Sequence, residues 1–290
     1  MMLTIQLLAS GVQTGVLYAL TAAGFALIFG ATRIFHVAHG ASFVLAGYAF
    51  IAVTNAGLAW PVATLTAVVV AMAFGALVNI CVYRPIQRHE ASFFTVFVAS
   101  FGVVICVQAL IQFFFGLGSV VLSSPLTRSS EVMPGLYLAP VFWVAIGVSI
   151  VLFTLVTLFL ERTNAGLGLR ALSENPGLLL AFGLSAPRLS ALAFCLGSAL
   201  VVPGAILSAA TTGIEPSASH RIMLISIAAS VVGGIGSVRG AALAGLMIGI
   251  IENVVVLFLD TQWSEAASFV VLFFFILFRP SGLFGRAVAP

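Results

Sequence analysis

Long apolar stretches interrupted by short polar ones set the rhythm of this 290-residue chain. Apolar runs occupy Leu3–Phe29, Val37–Val53, Leu58–Tyr83, Ser92–Phe115, Leu138–Leu160, Leu189–Ala210, Ile222–Val232, Ala241–Leu259 and Ala266–Phe278. A bilayer core about 30 Å thick takes about 20 apolar residues per helical crossing, which most of these runs supply. A membrane β-barrel would instead show alternating segments of about 10 residues. The pattern therefore predicts one all-α polytopic membrane domain covering residues 1–290. Two runs are short or interrupted: the one after His36-Val-Ala-His39-Gly40, and Ile222–Val232, which ends in Gly233-Gly-Ile-Gly236. Eleven helical residues rise only about 16 Å. Broken or re-entrant helices at membrane depth are tolerated where protein or a water-filled path surrounds them, and in transporters such breaks mark the substrate route.

Placing the runs alternately across a membrane sorts the basic residues. Arg33, Arg84, Arg88, Arg162, Arg170, Arg188, Arg239, Arg279 and Arg286 fall on one side. Only Arg128 and Arg221 fall on the other, together with Glu131, Glu215, Asp260 and Glu265. That bias marks the arginine-rich side as cytoplasmic. With no basic residue before Arg33, the first run reads as a retained span, not a cleaved signal, with its N-terminus outside the cytoplasm.

Composition sharpens this picture. Hydrophobic residues make up 62% and charged residues 7%, against about 25% charged in soluble domains. All 11 basic residues are arginine. A phosphate-binding loop of the Walker type requires a lysine, so the chain cannot be its own ATPase. The arginines sit at span ends and form no patch for nucleic acid. Cys81, Cys106 and Cys195 lie within apolar runs without metal-ligand spacing. Gly233-Gly-Ile-Gly236-Ser-Val-Arg239-Gly240 joins two membrane runs and reads as a tight turn; a dinucleotide loop would follow a strand. No nucleophile–base set is evident, and no metal or other cofactor is implied.

One stretch breaks the apolar pattern most strongly. Glu161 to Arg188 holds five of the 19 charged residues. It reads as a cytoplasmic segment with a short helix around Leu169–Glu174, ended before Pro176, and a second helical piece leading into the next span. Its leucines mixed with charges suit a docking surface for a soluble partner.

Inside the spans, few residues carry chemistry. His36 and His39, at i and i+3, would share a helix face, as pore-lining, helix-start or structural groups; a metal would need further ligands. Gly40 permits close backbone approach. Glu252, in Gly245-x-x-x-Gly249-x-x-Glu252, lies about two turns from either end of its run. A carboxyl at that depth costs about 2.5–3.5 kcal/mol and should face protein or water. It serves as an interhelical hydrogen-bonding group, in the substrate path or coupling, or as a proton relay.

Taken together, the chain resembles the permease family of branched-chain amino acid ABC importers, specifically the smaller, H-type subunit. The matching residues are His36-Val-Ala-His39-Gly40, Thr163-x-x-Gly166-x-x-x-Arg170-Ala-x-x-Glu174-Asn175, Ala181-Phe182-Gly183, Gly233-Gly234-x-Gly236-Ser237-x-x-Gly240-Ala241 and Arg279-Pro280-x-Gly282-Leu283-Phe284-Gly285. The resemblance implies eight or so transmembrane helices plus one or two short or re-entrant ones, in the bacterial inner membrane. It implies a second, M-type permease as partner, two ATPase subunits and an extracytoplasmic binding protein that meets the outer loops Gly116–Ala139 and Gly213–Arg221. ATPase coupling would fall on Gly166, Leu169, Arg170, Ala171, Glu174 and Asn175, and the substrate path on His36, His39, Gly40, Ser42 and Glu252. His36 stands where the family usually has asparagine, and Val37 where it has an aromatic, which leaves branched-chain amino acids, urea, short amides and organic acids as substrate classes. The alternative is a stand-alone ion-coupled carrier or channel, which would carry buried charge pairs in its spans.

Overall fold

A computed structural model describes residues 2–89, 92–122, 125–133, 135–174, 179, 183–260, 263–279 and 281–284. The first apolar run forms one helix, α1 (Met2–Thr32). It contains no proline, so nothing interrupts its ladder, and it ends where Arg33 turns to φ 56°. Residues 33–38 are not helical, and α2 (His39–Asn55) starts after a turn in which the His39 N–H donates to the His36 carbonyl. His39 alone therefore lies on a helix, and the expected shared helical face of His36 and His39 is replaced by a bend. Their rings still meet, with centroids 5.9 Å apart.

The helices α3 (Trp60–Leu77), α6 (Pro140–Arg162), α8 (Ala186–Leu200) and α9 (Val202–Thr211) open with proline in the first turn, where its missing N–H is harmless. Beyond α3 the backbone widens into a π-helical turn, Val78–Tyr83, before α4 (Arg84–His89). Then comes α5 (Phe93–Phe115). An exposed hairpin of β1 (Ser130–Met133) and β2 (Leu136–Leu138) follows, the one departure from an all-α fold among the described residues. The helix α7 (Asn164–Glu174) follows α6 and begins five residues earlier than its sequence pattern suggests. Val201 separates α8 from α9. The chain closes with α10 (Ala218–Gly233), α11 (Val238–Val255) and α12 (Ser264–Phe278).

Six helical stretches are long and apolar enough to cross a membrane: Leu3–Thr32, Trp60–His89, Phe93–Phe115, Pro140–Arg162, Ala186–Thr211 and Val238–Val255. The apolar helices Ala218–Gly233 and Ala266–Phe278 are shorter. The protein is thus an all-α polytopic membrane protein, and among the described residues six helices reach spanning length.

Burial shows how the bundle is arranged. In its most apolar window α1 is 72% buried, against 22% for α5 and for α6. The first helix is the axis, whereas α5 and α6 turn apolar surface outward, with Phe113, Phe114, Ile150 and Leu155 exposed. Against α1 runs α11, and glycines interlock them: a Cβ on Gly15 would strike the Leu246 backbone, and one on Gly249 would strike Gly15 and Thr14. Small residues repeated at i, i+4 let membrane helices approach this closely.

The two ends of the bundle differ. At one end Gln6 Nε2 donates to the Tyr137 carbonyl, and Val120 pairs with Ile214. At the other, Arg84 Nη2 donates to the Pro187 carbonyl and Arg239 pairs with Glu161. The hairpin end and the arginine-rich end match the two sides sorted from the sequence.

Candidate transport site

The glycine face of α11 is also the reason Glu252 points inward. Three residues beyond Gly249, it follows the seam towards α1 and is only 6% exposed. It is the one buried Asp, Glu or Arg among the described residues. It borders a cavity of about 400 Å³ in the hairpin-end half of the bundle. Gln13, Thr14 and Thr21 of α1, Arg221 of α10 and Asn253 of α11 supply polar groups to that cavity, and Leu17, Phe43 and Ile222 supply apolar ones. Along α1 the lining extends from Ser10 to Thr21, roughly 16 Å at 1.5 Å per residue, about half of a bilayer core. A second cavity of about 330 Å³ shares Arg221 and Glu252 and adds Glu215, His220 and Phe269.

Continuing along the same face of α1, at about 100° per residue, come Gly24, Phe25 and Ile28. All three are buried. Phe25 packs edge-on against His39 at 6.0 Å and against Phe35 at 5.5 Å. A Cβ on Gly24 would meet the Gly197 carbonyl and the His39 ring. These groups form a packed plug beneath the cavity, and four of the sequence-derived path residues belong to this layer. His39 Nε2 lies 2.9 Å from the Thr21 carbonyl oxygen. His36 Nδ1 lies 2.8 Å from the Tyr83 hydroxyl, and Ser42 Oγ 3.3 Å from Ser198 Oγ. Gly40 is pressed against the Ser219 carbonyl. All four are buried and border none of the cavities described here, whereas Glu252 does.

At the arginine-rich end a cavity of about 470 Å³ is lined by Thr157, Glu161, Arg170, Ser173, Glu174 and Arg239. It opens on another face of α1, through Ala26, Leu27, Gly30 and Ala31. One of its walls is the amphipathic α7. Gly166 is wedged against the Phe159 carbonyl and Leu160, and Leu169 is buried among Leu20, Ala23, Leu27 and Leu189. Ala171 is half-buried, and Arg170 and Glu174 are exposed. Of these, only Arg170 and Glu174 are exposed; Asn175, also expected to couple, lies outside the described residues, as do Pro176, Ala181 and Phe182.

The largest of the cavities described here, about 700 Å³, is almost wholly apolar, between α6 and α8–α9. A polar solute would therefore follow the smaller, polar cavities. Sequence reasoning missed Arg221 as a cavity residue, along with Gln13 and Thr14. Their signal was present: Ser10, Gln13, Thr14, Leu17 and Thr21 recur at helical spacing on one face of the first span. Tyr83 and Ser100 were missed too, because an apolar run gives no sign of a π-helical turn.

A buried axial helix, a polar cavity reaching mid-bundle and a packed plug beneath it define a polytopic helical transport subunit. Residues 7–278 match the family described as "Branched-chain amino acid transport system / permease component", and the chain belongs to that family. It is 27% identical to the high-affinity branched-chain amino acid transport system permease protein BraD of Pseudomonas aeruginosa, over 97% of this chain and 96% of that protein. It is 26% identical to LivH of Escherichia coli K12, with the same coverage. To the probable LivH of Methanocaldococcus jannaschii it is 24% identical, over 93% of this chain and 89% of that one. No solved structure matches the chain. The protein is thus a multi-pass inner-membrane transport component.

Proposed function

We propose that this chain is the permease subunit of an ATP-driven ABC importer for branched-chain amino acids or a related small polar solute, delivered by an extracytoplasmic binding protein. The supporting observation is the 400 Å³ cavity, polar on α1, α10 and α11 and stopped at mid-bundle by the plug around His39. A cavity closed at its floor admits a solute from one side and needs an external energy input to open the other. The arginine-rich end is cytoplasmic; there Arg170 and Glu174 of α7, with Asn175 after them, form the docking surface for two ATPase subunits. A second, M-type permease completes the path. Substrate enters beside the β-hairpin and Gly213–Arg221, touches Glu252, and passes when ATPase movement at α7 loosens the layer of His36, His39, Gly40 and Ser42.

Reconstitution separates this from a stand-alone carrier. Vesicles holding the chain with its permease partner, ATPases and binding protein should take up leucine only with ATP inside the ATPase compartment. Uptake by the chain alone, driven by an ion gradient, would overturn the assignment.

A further inference from the structure

We propose that an arginine-lined cavity at the cytoplasmic end binds the phosphate of a net-anionic phospholipid. The cavity measures about 430 Å³ and lies between the end of α1, α4, α7 and the start of α8. Arg33, Arg84 and Arg88 line it, with Gln87, Ser173 and Ser190 as further polar groups, and its lining includes no Asp or Glu. In the neighbouring 470 Å³ cavity, by contrast, Glu161 and Glu174 balance Arg170 and Arg239. The site depends on the arginine-rich end being cytoplasmic, not on what the chain carries.

Like charges around one space repel one another unless an anion enters. Arg33 and Arg88 are exposed, whereas Arg84 is half-buried. Arg84 Nη2 donates to the Pro187 carbonyl, and its Nε is buried without a hydrogen-bond partner. The result is an anchored guanidinium with a donor to spare, a group that suits phosphate contact. Arg33 is the one non-glycine residue with a positive φ, 56°, among the described residues. Glycine would take that turn without strain, so what counts at this position is the reach of the side chain.

Depth favours a lipid over a soluble ligand. The helical stretch Trp60–His89 is continuous, and Trp60 at its start suits the outer interface. At 1.5 Å per residue, Arg84 lies roughly 36 Å and Arg88 roughly 42 Å along it. A bilayer measures about 30 Å across its hydrocarbon and about 40–45 Å with headgroups. Both arginines therefore fall in the inner headgroup layer, where basic pockets between helices take anionic headgroups. Apolar surface for acyl chains adjoins them. Ile80 and Leu77, about one and two turns before Arg84, are exposed, as are Phe93 and Phe94. The Phe93 ring lies 6.1 Å from that of Phe35, two residues after Arg33. A choline headgroup would bring another cation to the arginines, so the pocket selects net negative charge. Arg33 lies three residues before His36, and Arg84 directly follows Tyr83. A shared phosphate thus clamps the two segments whose side chains meet at 2.8 Å in the plug.

The test purifies the full chain in a maltoside detergent and counts retained ligands by native mass spectrometry. Phosphatidylglycerol, phosphatidylcholine with the same acyl chains, and glycerol 1-phosphate are supplied in turn. One phosphatidylglycerol should be held per chain, at least about tenfold more strongly than phosphatidylcholine, with glycerol 1-phosphate weaker than the anionic lipid. Combining Arg33→Gln with Arg88→Gln should abolish that preference. Arg162→Gln, at an exposed position that lines neither cytoplasmic cavity, should keep it. Equal retention of the two lipids, or an unchanged preference in the double variant, overturns the site. Glycerol 1-phosphate held as tightly as the lipid would make this a site for soluble phosphates and overturn the lipid assignment. The comparison of ligands on the wild type decides even where the double variant fails to fold. Release of the lipid when ATPase subunits are added would assign the arginines to that partner and overturn the proposal as well.

Discussion

The Nδ1 atom of His36 lies 2.8 Å from the Tyr83 hydroxyl, which lies 2.6 Å from Ser100 Oγ. Ser100 Oγ in turn accepts from the Ala38 N–H at 2.9 Å. The break before α2, the π-helical turn and α5 therefore meet around one buried phenol oxygen. Tyr83→Phe keeps the ring and deletes that oxygen, leaving polar atoms with no water to turn to. The expected loss is about 1–2 kcal/mol, read as a lower midpoint of thermal unfolding in detergent. An unchanged midpoint would mean that the break is held by ring packing alone.

Glycine positions should split sharply by environment. At Gly249 a Cβ collides with the α1 backbone, whereas at Gly147 nothing lies within 4 Å. Gly249→Val should destabilise by about 1–3 kcal/mol or more through overpacking. Gly147→Ala, on an outward face of α6, should be neutral or slightly stabilising. Paired melting curves check both; equal behaviour would count against the seam.

Within α7, anchor and contact residues should separate by assay. Leu169→Ala removes a buried side chain and should lower stability by about 2–5 kcal/mol. Arg170→Ala and Glu174→Ala, both exposed, should leave the melting midpoint in place yet lower ATP-driven uptake in the complete complex. Full uptake by that double variant would remove the docking role from this surface.

The Arg239–Glu161 ion pair bridges α11 and α6 beside α7, with side chains 63% and 40% exposed. Water screens such a pair, so a double-mutant cycle should return no more than about 1 kcal/mol.

Sidedness can be read chemically. In a variant without Cys81, Cys106 and Cys195, a cysteine at Arg128 should react with an impermeant maleimide added outside whole cells. A cysteine at Arg188 should react only after the cells are opened. The reverse pattern would invert the orientation drawn from the arginines.

Much of this architecture is legible in the chain because lipid contact demands continuous apolar runs and arginine avoids crossing. The runs at Ser92–Phe115, Leu138–Leu160 and Ala241–Leu259 correspond within a few residues to α5, α6 and α11. Boundaries slip where polar residues are helical: α10 begins at Ala218, because Ser219, His220 and Arg221 belong to its first turn. The cavity was only partly legible. Glu252 stands out alone in its span, but its partners come from α1, α2 and α10, and no local pattern reports which helices meet. His36 and His39 looked like path residues because they are polar in an apolar setting. The structure gives each ring one partner, Tyr83 for His36 and the Thr21 carbonyl for His39, 47 and 18 positions away in sequence, and leaves His36 Nε2 and His39 Nδ1 buried without one.

The glycine seam carries one further consequence. Gly11 faces the Ile250 backbone and Asn253, and Gly15 faces Leu246, so the helices that bear Gln13 and Thr14 on one side and Glu252 and Asn253 on the other touch backbone to backbone. The distance between the two polar walls is consequently gauged by residues that never meet a solute. A single methyl added at the seam would act as a shim and widen the space a substrate has to fill. On the importer reading, tolerance for solute size would be set where there are no side chains.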